Sequence, residues 1–233
     1  MIPKIIHYIW IGERKKPIDR INSWKGKLSD FEFREWNESN LDLDKYQFSR
    51  LGYDLKKYGA AIDPYRVEIL YQYGGVWFDT DIIVHEDISC FLENDLFAGF
   101  SYWNETNKIW TVGMGIIGVS INHPIMKELR TWYENNWTKV ELKNVSTLLY
   151  ERIYQDHFPH PEILLTRILQ KKYVLKPNGV TQKTNRIQIE SIPVFTIRGD
   201  YGVKNYTEHL YEGSWLDKPV DRYSVLEKQY RVI

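Results

Sequence analysis

Hydrophobic positions along the chain fall into short β-branched runs separated by stretches with helical spacing. Residues 3–11, PKIIHYIWI, form an apolar run closed by Gly12 and predict the first buried strand of an α/β sheet. From Pro17 to Leu28, the residues Ile18, Ile21, Trp24 and Leu28 recur at helical intervals. Phe31 to Trp36 alternates and predicts a second strand, and the turn Asn37-Glu38-Ser39-Asn40 is expected to cap a short helix after it. Asp63 to Tyr73 predicts a helix with Asp63 as N-cap, Pro64 in the first helical position and Gly74 ending it in a left-handed conformation. Val76-Trp77-Phe78 is then a short buried strand. Strand and helix alternating in this way predict an α/β fold, a Rossmann-type, mostly parallel central sheet with helices on both faces.

The second half of the chain is less regular. Asp87 to Glu93 reads as a short helix, Leu96 to Tyr102 as a strand and Ser101 to Thr111 as a loop. Gly113-Met114-Gly115-Ile116-Ile117-Gly118-Val119 predicts a strand whose glycines admit a ligand or another backbone at close range. Helices are expected from His123-Pro124 to Asn135, from Val145 to Gln155 and from Pro161 to Gln170. Tyr173 to Leu175, Ile187 to Glu190 and Val194 to Thr196 are short strand candidates. The pattern gives one domain over residues 1–233, divided into a more regular half at 1–100, a less regular half at 101–215 and a tail at 216–233.

Composition narrows the class. Charged residues make up 27% of the 233, yet the formal net charge is zero, which gives no electrostatic footprint for nucleic acid. The single cysteine, Cys90, allows no internal disulfide and fits a reducing compartment. The N-terminus lacks the long apolar core of a signal peptide, and no run approaches a membrane span, so a soluble cytoplasmic protein is expected, with peripheral membrane docking of the tail a weaker alternative. Nine Trp and 17 Tyr suit the faces of sugar rings and equally suit a core.

The chemistry concentrates at Asp79 and Asp81, which follow the apolar Val76-Trp77-Phe78 run. Side chains alternate along a strand, so the two carboxylates point one way and Thr80 the other. Paired at the end of a buried strand, they repel each other and are poorly hydrated, and a hard divalent cation, Mg²⁺ or Mn²⁺, resolves both problems. A bare D-x-D is by default a pair of solvated loop aspartates; the apolar run, the glycine pair and the neighbouring Asp63 and Arg66 favour the metal site. Trp10 ends the first strand where α/β sheets bind ligands, and either stacks on a flat ligand or closes the core. Asn37 ends the second strand and either reaches the same ligand or serves its turn. His7 reads as a satisfied core histidine. His209 is an available third metal ligand, and Ser214 and Trp215 follow a glycine as a flap over a phosphate or sugar.

The order I-H-Y-I-W-I-G, then D-P-Y-R-x-x-I-L-Y-x-x-G-G-V-W-F-D-T-D, then H-P-E-I-L-L-T, then H-x-x-x-x-S-W, resembles the DXD-type sugar transferases. These include Och-type mannosyltransferases, capsular-polysaccharide transferases and the glucosylating domain of large clostridial toxins. The resemblance implies a GT-A-like fold and retaining transfer from a nucleotide sugar, by resemblance alone a UDP-sugar, to a saccharide or lipid-linked acceptor with Mn²⁺ or Mg²⁺. It further implies that Ile9 and Trp10 hold the base, and that Asp63 and Arg66 hold sugar hydroxyls and the diphosphate side. Trp77 would line the donor pocket, Asp79 would contact ribose or metal, and Asp81 would ligate the metal. His209 or Ser214 would complete the metal shell, and Trp215 would reach the diphosphate. His160-Pro161 stands where the family often has Gly-Pro, and Gly113-Met114-Gly115 where a polar residue often faces the acceptor.

Cleaving a sugar–phosphate bond places negative charge on the leaving diphosphate, which a cation at Asp79 and Asp81 together with Arg66 would stabilise. With no obvious carboxylate nucleophile in the sequence, same-face displacement is the expected route. Three rival readings share part of this pattern. An aspartate-nucleophile phosphatase also has an apolar strand ending in D-x-D, but usually as its first strand. A non-catalytic nucleotide or sugar binder would share the fold. A glycosidase needs carboxylates that straddle the sugar, which neighbours on one strand do not.

Overall fold

The structure is a computed structural model that describes residues 1–104, 106, 108–138 and 145–212. The first strand, β1 (Ile5–Ile9), is followed by helix α1 (Ile18–Lys27), strand β2 (Glu32–Trp36) and helices α2 (Gln47–Asp54) and α3 (Tyr58–Tyr73). Strands β3 (Gly75–Phe78) and β4 (Ile82–Val84) come next, then β5 (Leu96–Asn104) and β6 (Ile109–Val119). Helices α4 (Pro124–Trp137), α5 (Thr147–His157) and α6 (Pro161–Tyr173) lead to β7 (Gln182–Thr184), β8 (Ile187–Glu190), α7 (Ile192–Phe195) and β9 (Thr207–His209).

Seven strands form one sheet in the order β2-β1-β3-β6-β5-β8-β7. Strands β2, β1, β3, β5 and β8 run one way, and β6 and β7 run against them. The expected α/β fold and mostly parallel sheet are thus present, with the reversed β6 inserted beside β3. Alternation along β3 divides the core. Trp77 enters the cluster with Tyr65, Val67 and Leu70 of α3, and Val76 and Phe78 enter the opposite cluster with Ile21 and Trp24 of α1. A separate two-stranded ribbon, β4 with β9, lies beyond the end of β3.

The α3–β3 junction needs its glycines. Gly74 (φ 61°) ends α3 with its N–H donating to Leu70, and Gly75 (φ 91°) opens β3. A β-carbon on Gly75 would lie 2.7 Å from the carbonyl oxygen of Ile5. His7 is the core histidine expected. Its Nε2 lies 2.9 Å from the Gly74 carbonyl and its Nδ1 accepts from the Trp36 indole at 3.1 Å, which fixes a neutral ring. Burial, the dominant influence, lowers its pKa to about 4.

Several expectations are corrected. Helix α3 starts at Tyr58, so Asp63 is not its N-cap and Pro64 lies inside it. Proline in a helix interior costs ~3 kcal/mol; here residues 63 to 67 are all buried, and their packing outweighs that local penalty. The turn at Asn37–Asn40 caps no helix, since α2 begins only at Gln47. Much of the expected loop at Ser101–Thr111 is hairpin, because Trp103 pairs with Trp110 and Asn104 with Ile109. Asp87–Glu93 contributes only a 3-10 turn at Ser89–Phe91. Tyr173 to Leu175 is no strand, as Tyr173 ends α6 and Val174 takes a left-handed conformation. Val194 and Phe195 belong to a single helical turn, Ile192–Phe195, with Pro193 in its second position. Among the described residues, no helix is long and apolar enough to cross a membrane.

Candidate active site

Residues 79–81 form the turn between β3 and β4, so the two aspartates lie beyond the strand rather than on it. Backbone pairing delivers the histidine. Strand β9 runs antiparallel to β4 with His209 opposite Ile82, and the Leu210 N–H donates to the Asp81 carbonyl at 3.0 Å. The result is a cluster of Asp79, Asp81 and His209 in which one ligating atom from each lies within 4.8 Å of the others. Nε2 of His209 is 3.0 Å from Oδ1 of Asp81 and 3.9 Å from Oδ2 of Asp79.

Each carboxylate has one oxygen pinned by the protein. Oδ1 of Asp79 accepts from Arg66 Nη2 at 3.1 Å and from the Trp77 indole at 2.8 Å. Oδ2 of Asp81 accepts from the Glu212 N–H at 3.0 Å. The remaining oxygens, Oδ2 of Asp79 and Oδ1 of Asp81, face the imidazole. Two carboxylate oxygens and a ring nitrogen so converged suit a divalent cation. Space for the cluster is cleared by Gly115 on β6, where a β-carbon would lie 2.7 Å from His209 Cε1 and 3.1 Å from Asp79 Oδ2. The expected close approach at the β6 glycines is therefore to a side-chain cluster. Burial, the largest influence on both His209 and Asp81, disfavours their charged forms, but their mutual attraction outweighs it. The imidazole is raised above its ordinary pKa and the Asp81 carboxyl is lowered.

Arg66 is the hub beside the cluster. Besides Asp79, its Nη1 donates to the Met114 carbonyl at 3.1 Å, Nη2 lies 3.9 Å from Oδ1 of Asp63, and its guanidinium sits 5.1 Å over the Trp77 ring. Asp63 accepts from the Tyr154 hydroxyl at 2.8 Å, while burial raises its pKa to about 6 against the pull of Arg66 and Tyr154. Glu162, in the first turn of α6, accepts from the Met114 N–H at 3.1 Å. Burial raises its pKa to about 7 despite the Met114 bond and Arg66. The ladder between β5 and β6 is irregular here, with a register shift between the Ala98–Ile117 and Phe100–Val112 pairs that flank Met114.

These groups open on a cavity of about 560 Å³. Its walls include Ile9, Trp10, Asp63, Arg66, Trp77, Asp79, Asp81 and His209, so most of the site residues expected from the sequence come together. Asn37 does not join them: its side chain accepts from the N–H and hydroxyl of Ser39, and the turn consumes it. Ser214 and Trp215 lie outside the described residues. Sequence reasoning missed Glu162, Tyr154, Tyr150 and Tyr211, all of which line the cavity. The ring of Tyr211 stacks on His209 with centroids 4.0 Å apart, and the Tyr150 hydroxyl is buried with no hydrogen-bond partner among the described residues. Only the acidic first turn after His160-Pro161 carried a readable signal for Glu162.

Residues 14–101 match the family model of the glycosyltransferase sugar-binding region containing the DXD motif. The matched glycosyltransferase region takes in Asp63, Arg66, Trp77, Asp79 and Asp81, while Trp10, Glu162 and His209 lie outside it. Among solved structures, the PaToxG glycosyltransferase is similar at 15% identity over 73% of this chain and 70% of that one, with a TM-score of 0.47. A glycosyltransferase involved in glycosylation of the major capsid of PBCV-1 is 12% identical over 98% of this chain and 100% of that one, with a TM-score of 0.39. The apo-form glycosyltransferase GlyE of Streptococcus pneumoniae TIGR4 is 10% identical over 99% of this chain and 60% of that one, with a TM-score of 0.38. No curated protein sequence matches the chain.

Proposed function

We propose that the protein is a metal-dependent retaining glycosyltransferase that moves a sugar from a nucleotide-sugar donor to a saccharide or lipid-linked acceptor. The observation that carries this reading is the convergence of Asp79, Asp81 and His209 at the wall of a cavity that Trp10 also lines. A donor set of two carboxylates and one imidazole fits Mn²⁺ or Mg²⁺, with Mn²⁺ better suited to the nitrogen. When bound, the cation would act as a Lewis acid on the leaving diphosphate.

The chain's own groups divide the remaining work. Trp10 and Ile9 offer a flat apolar wall for the base. Asp63, oriented by Tyr154, presents a carboxyl to sugar hydroxyls. Arg66 brings positive charge beside Asp79 and retains a buried Nε–H with no partner among the described residues. That charge lies where negative charge would develop on the leaving group, and one such group is worth ~3–4 kcal/mol in rate. On this reading residues 1–100 carry most of the donor site, and residues beyond 101 add Glu162, His209 and the acceptor side.

The direct test is hydrolysis of UDP- and GDP-sugars by the purified full chain with Mn²⁺, comparing wild type with Asp81→Asn. The proposal expects metal-dependent release of nucleotide, reduced at least about a hundredfold by the substitution. Full activity in Asp81→Asn removes the metal-site assignment. Tight metal-dependent nucleotide binding without turnover on any donor favours a non-catalytic binder.

A further inference from the structure

We infer that Arg20 and Glu212 form a latch that sets the carboxylate of Asp81 for its cation, which makes Arg20 a positioning residue of the metal site. The inference rests on the metal reading above. Asp81 is held between two segments distant in sequence, the 79–81 turn and the stretch after β9, and Arg20 on α1 grips both. Its Nη1 donates to the carbonyl oxygen of Thr80 at 3.0 Å and to Oε2 of Glu212 at 3.1 Å, while Nη2 reaches Oε1 of Glu212 at 2.5 Å. Held by this two-pronged contact, Glu212 directs its own N–H onto Oδ2 of Asp81 at 3.0 Å. That bond leaves Oδ1 facing His209, the same division of labour that Arg66 and Trp77 impose on Asp79.

A surface ion pair that merely stabilises the fold is the alternative, and magnitudes argue against it as the main role. The Arg20 side chain is 21% exposed and that of Glu212 45%. Pairs in such settings contribute ~0–1 kcal/mol to stability. Partners that orient a metal ligand, by contrast, typically change metal affinity about 10–100-fold when removed. Arg20 makes no contact with the three ligating side chains themselves among its hydrogen bonds, so its effect on the cation passes through the Thr80 carbonyl and the Glu212 backbone.

The test is titration of the full chain with Mn²⁺ alone, reading free Mn²⁺ by electron paramagnetic resonance, alongside thermal unfolding. Arg20→Met and Glu212→Ala are each expected to weaken Mn²⁺ binding about tenfold with little change in melting temperature. The double variant should be no weaker than Arg20→Met alone, because the Glu212 side chain acts through a contact that Arg20→Met already removes, whereas Glu212→Ala keeps the Arg20 bond to Thr80. Arg20→Lys, which keeps a cation but not the fork, should recover part of the affinity. Wild-type Mn²⁺ affinity in both single variants reduces the pair to a surface contact and overturns the inference, leaving the metal reading intact. Additive losses in the double variant overturn it too. If the wild-type chain itself binds no Mn²⁺, with or without UDP, this inference and the metal reading fall together.

Discussion

A β-carbon added to Gly115 would meet Cε1 of His209 at 2.7 Å, and this approach ties β6 to the cation cluster. The ring cannot slide away freely, since Tyr211 stacks on it and Asp81 bonds its Nε2. Gly115 is not among the glycines with positive φ, so alanine suits its backbone. Gly115→Ala is therefore expected to leave the fold intact while displacing His209. Mn²⁺ affinity measured by calorimetry should fall at least about tenfold with circular dichroism unchanged. Unaltered affinity would mean that the three side chains do not act together on a cation.

Trp77 offers a subtler probe. Its indole N–H donates to Oδ1 of Asp79, and its ring packs against Arg66. Trp77→Phe keeps most of the apolar ring in the core and removes only the donor. One hydrogen bond to a charged group contributes ~1.5–3 kcal/mol, and Arg66 still holds the same oxygen. A loss of Mn²⁺ affinity of about tenfold is expected. Arg66→Met, which removes the other donor and leaves Asp63 and Asp79 without their shared cation, should weaken binding further and also lower the melting temperature.

Tyr154 governs Asp63 through a direct hydrogen bond in the cavity wall. Its hydroxyl donates to Oδ2 of a buried carboxyl whose pKa already stands at about 6. Tyr154→Phe removes a bond that favours the charged form, so the Asp63 pKa should rise further. Losing the partner costs ~1–3 kcal/mol of stability. In donor-hydrolysis assays the pH limb assigned to Asp63 should move to higher pH, and the KM for the donor should rise. A donor KM and pH profile identical to wild type would separate Asp63 from donor binding.

How much of this was legible in the sequence follows from the range of the interactions. The α3–β3–Asp79 unit is local: an apolar run, two glycines and an acidic pair determine it within residues 58–81, and two details differ, the placing of Asp79 and Asp81 in the turn after the strand and the helix start. There Pro64 read as a start signal, whereas burial on every side of residues 63 to 67 carries the helix through it. His209 was found as a residue type without its reason, which is the three-residue pairing of β9 with β4. A strand of that length, Thr207-Glu208-His209, has too few alternations to be seen. Tyr154 belongs to a helix whose docking is set by tertiary packing, and nothing in its local pattern separates it from a solvated position; for Glu162 the acidic first turn of α6 signals a helix start and not a place in the site.

Glu162 supplies a pH signature that distinguishes a buried carboxyl from an exposed one. Its pKa in the folded chain is raised to about 7 from an ordinary 4.5, mainly by burial. A carboxyl raised in this way contributes stability that is fully present below pH 4.5 and lost as pH rises through about 7, because the folded state binds the proton more tightly than the unfolded one. The difference corresponds to about 3 kcal/mol at most. In Glu162→Gln the neutral amide oxygen can still accept from Met114, and this pH dependence disappears. Urea unfolding at pH 5 and pH 8 should therefore show the substitution becoming more favourable to stability by a few kcal/mol at the higher pH. A stability difference between variant and wild type that stays constant across that interval would mean that Glu162 is already ionised at pH 5 when folded, and so is not the desolvated carboxyl that the cavity wall implies.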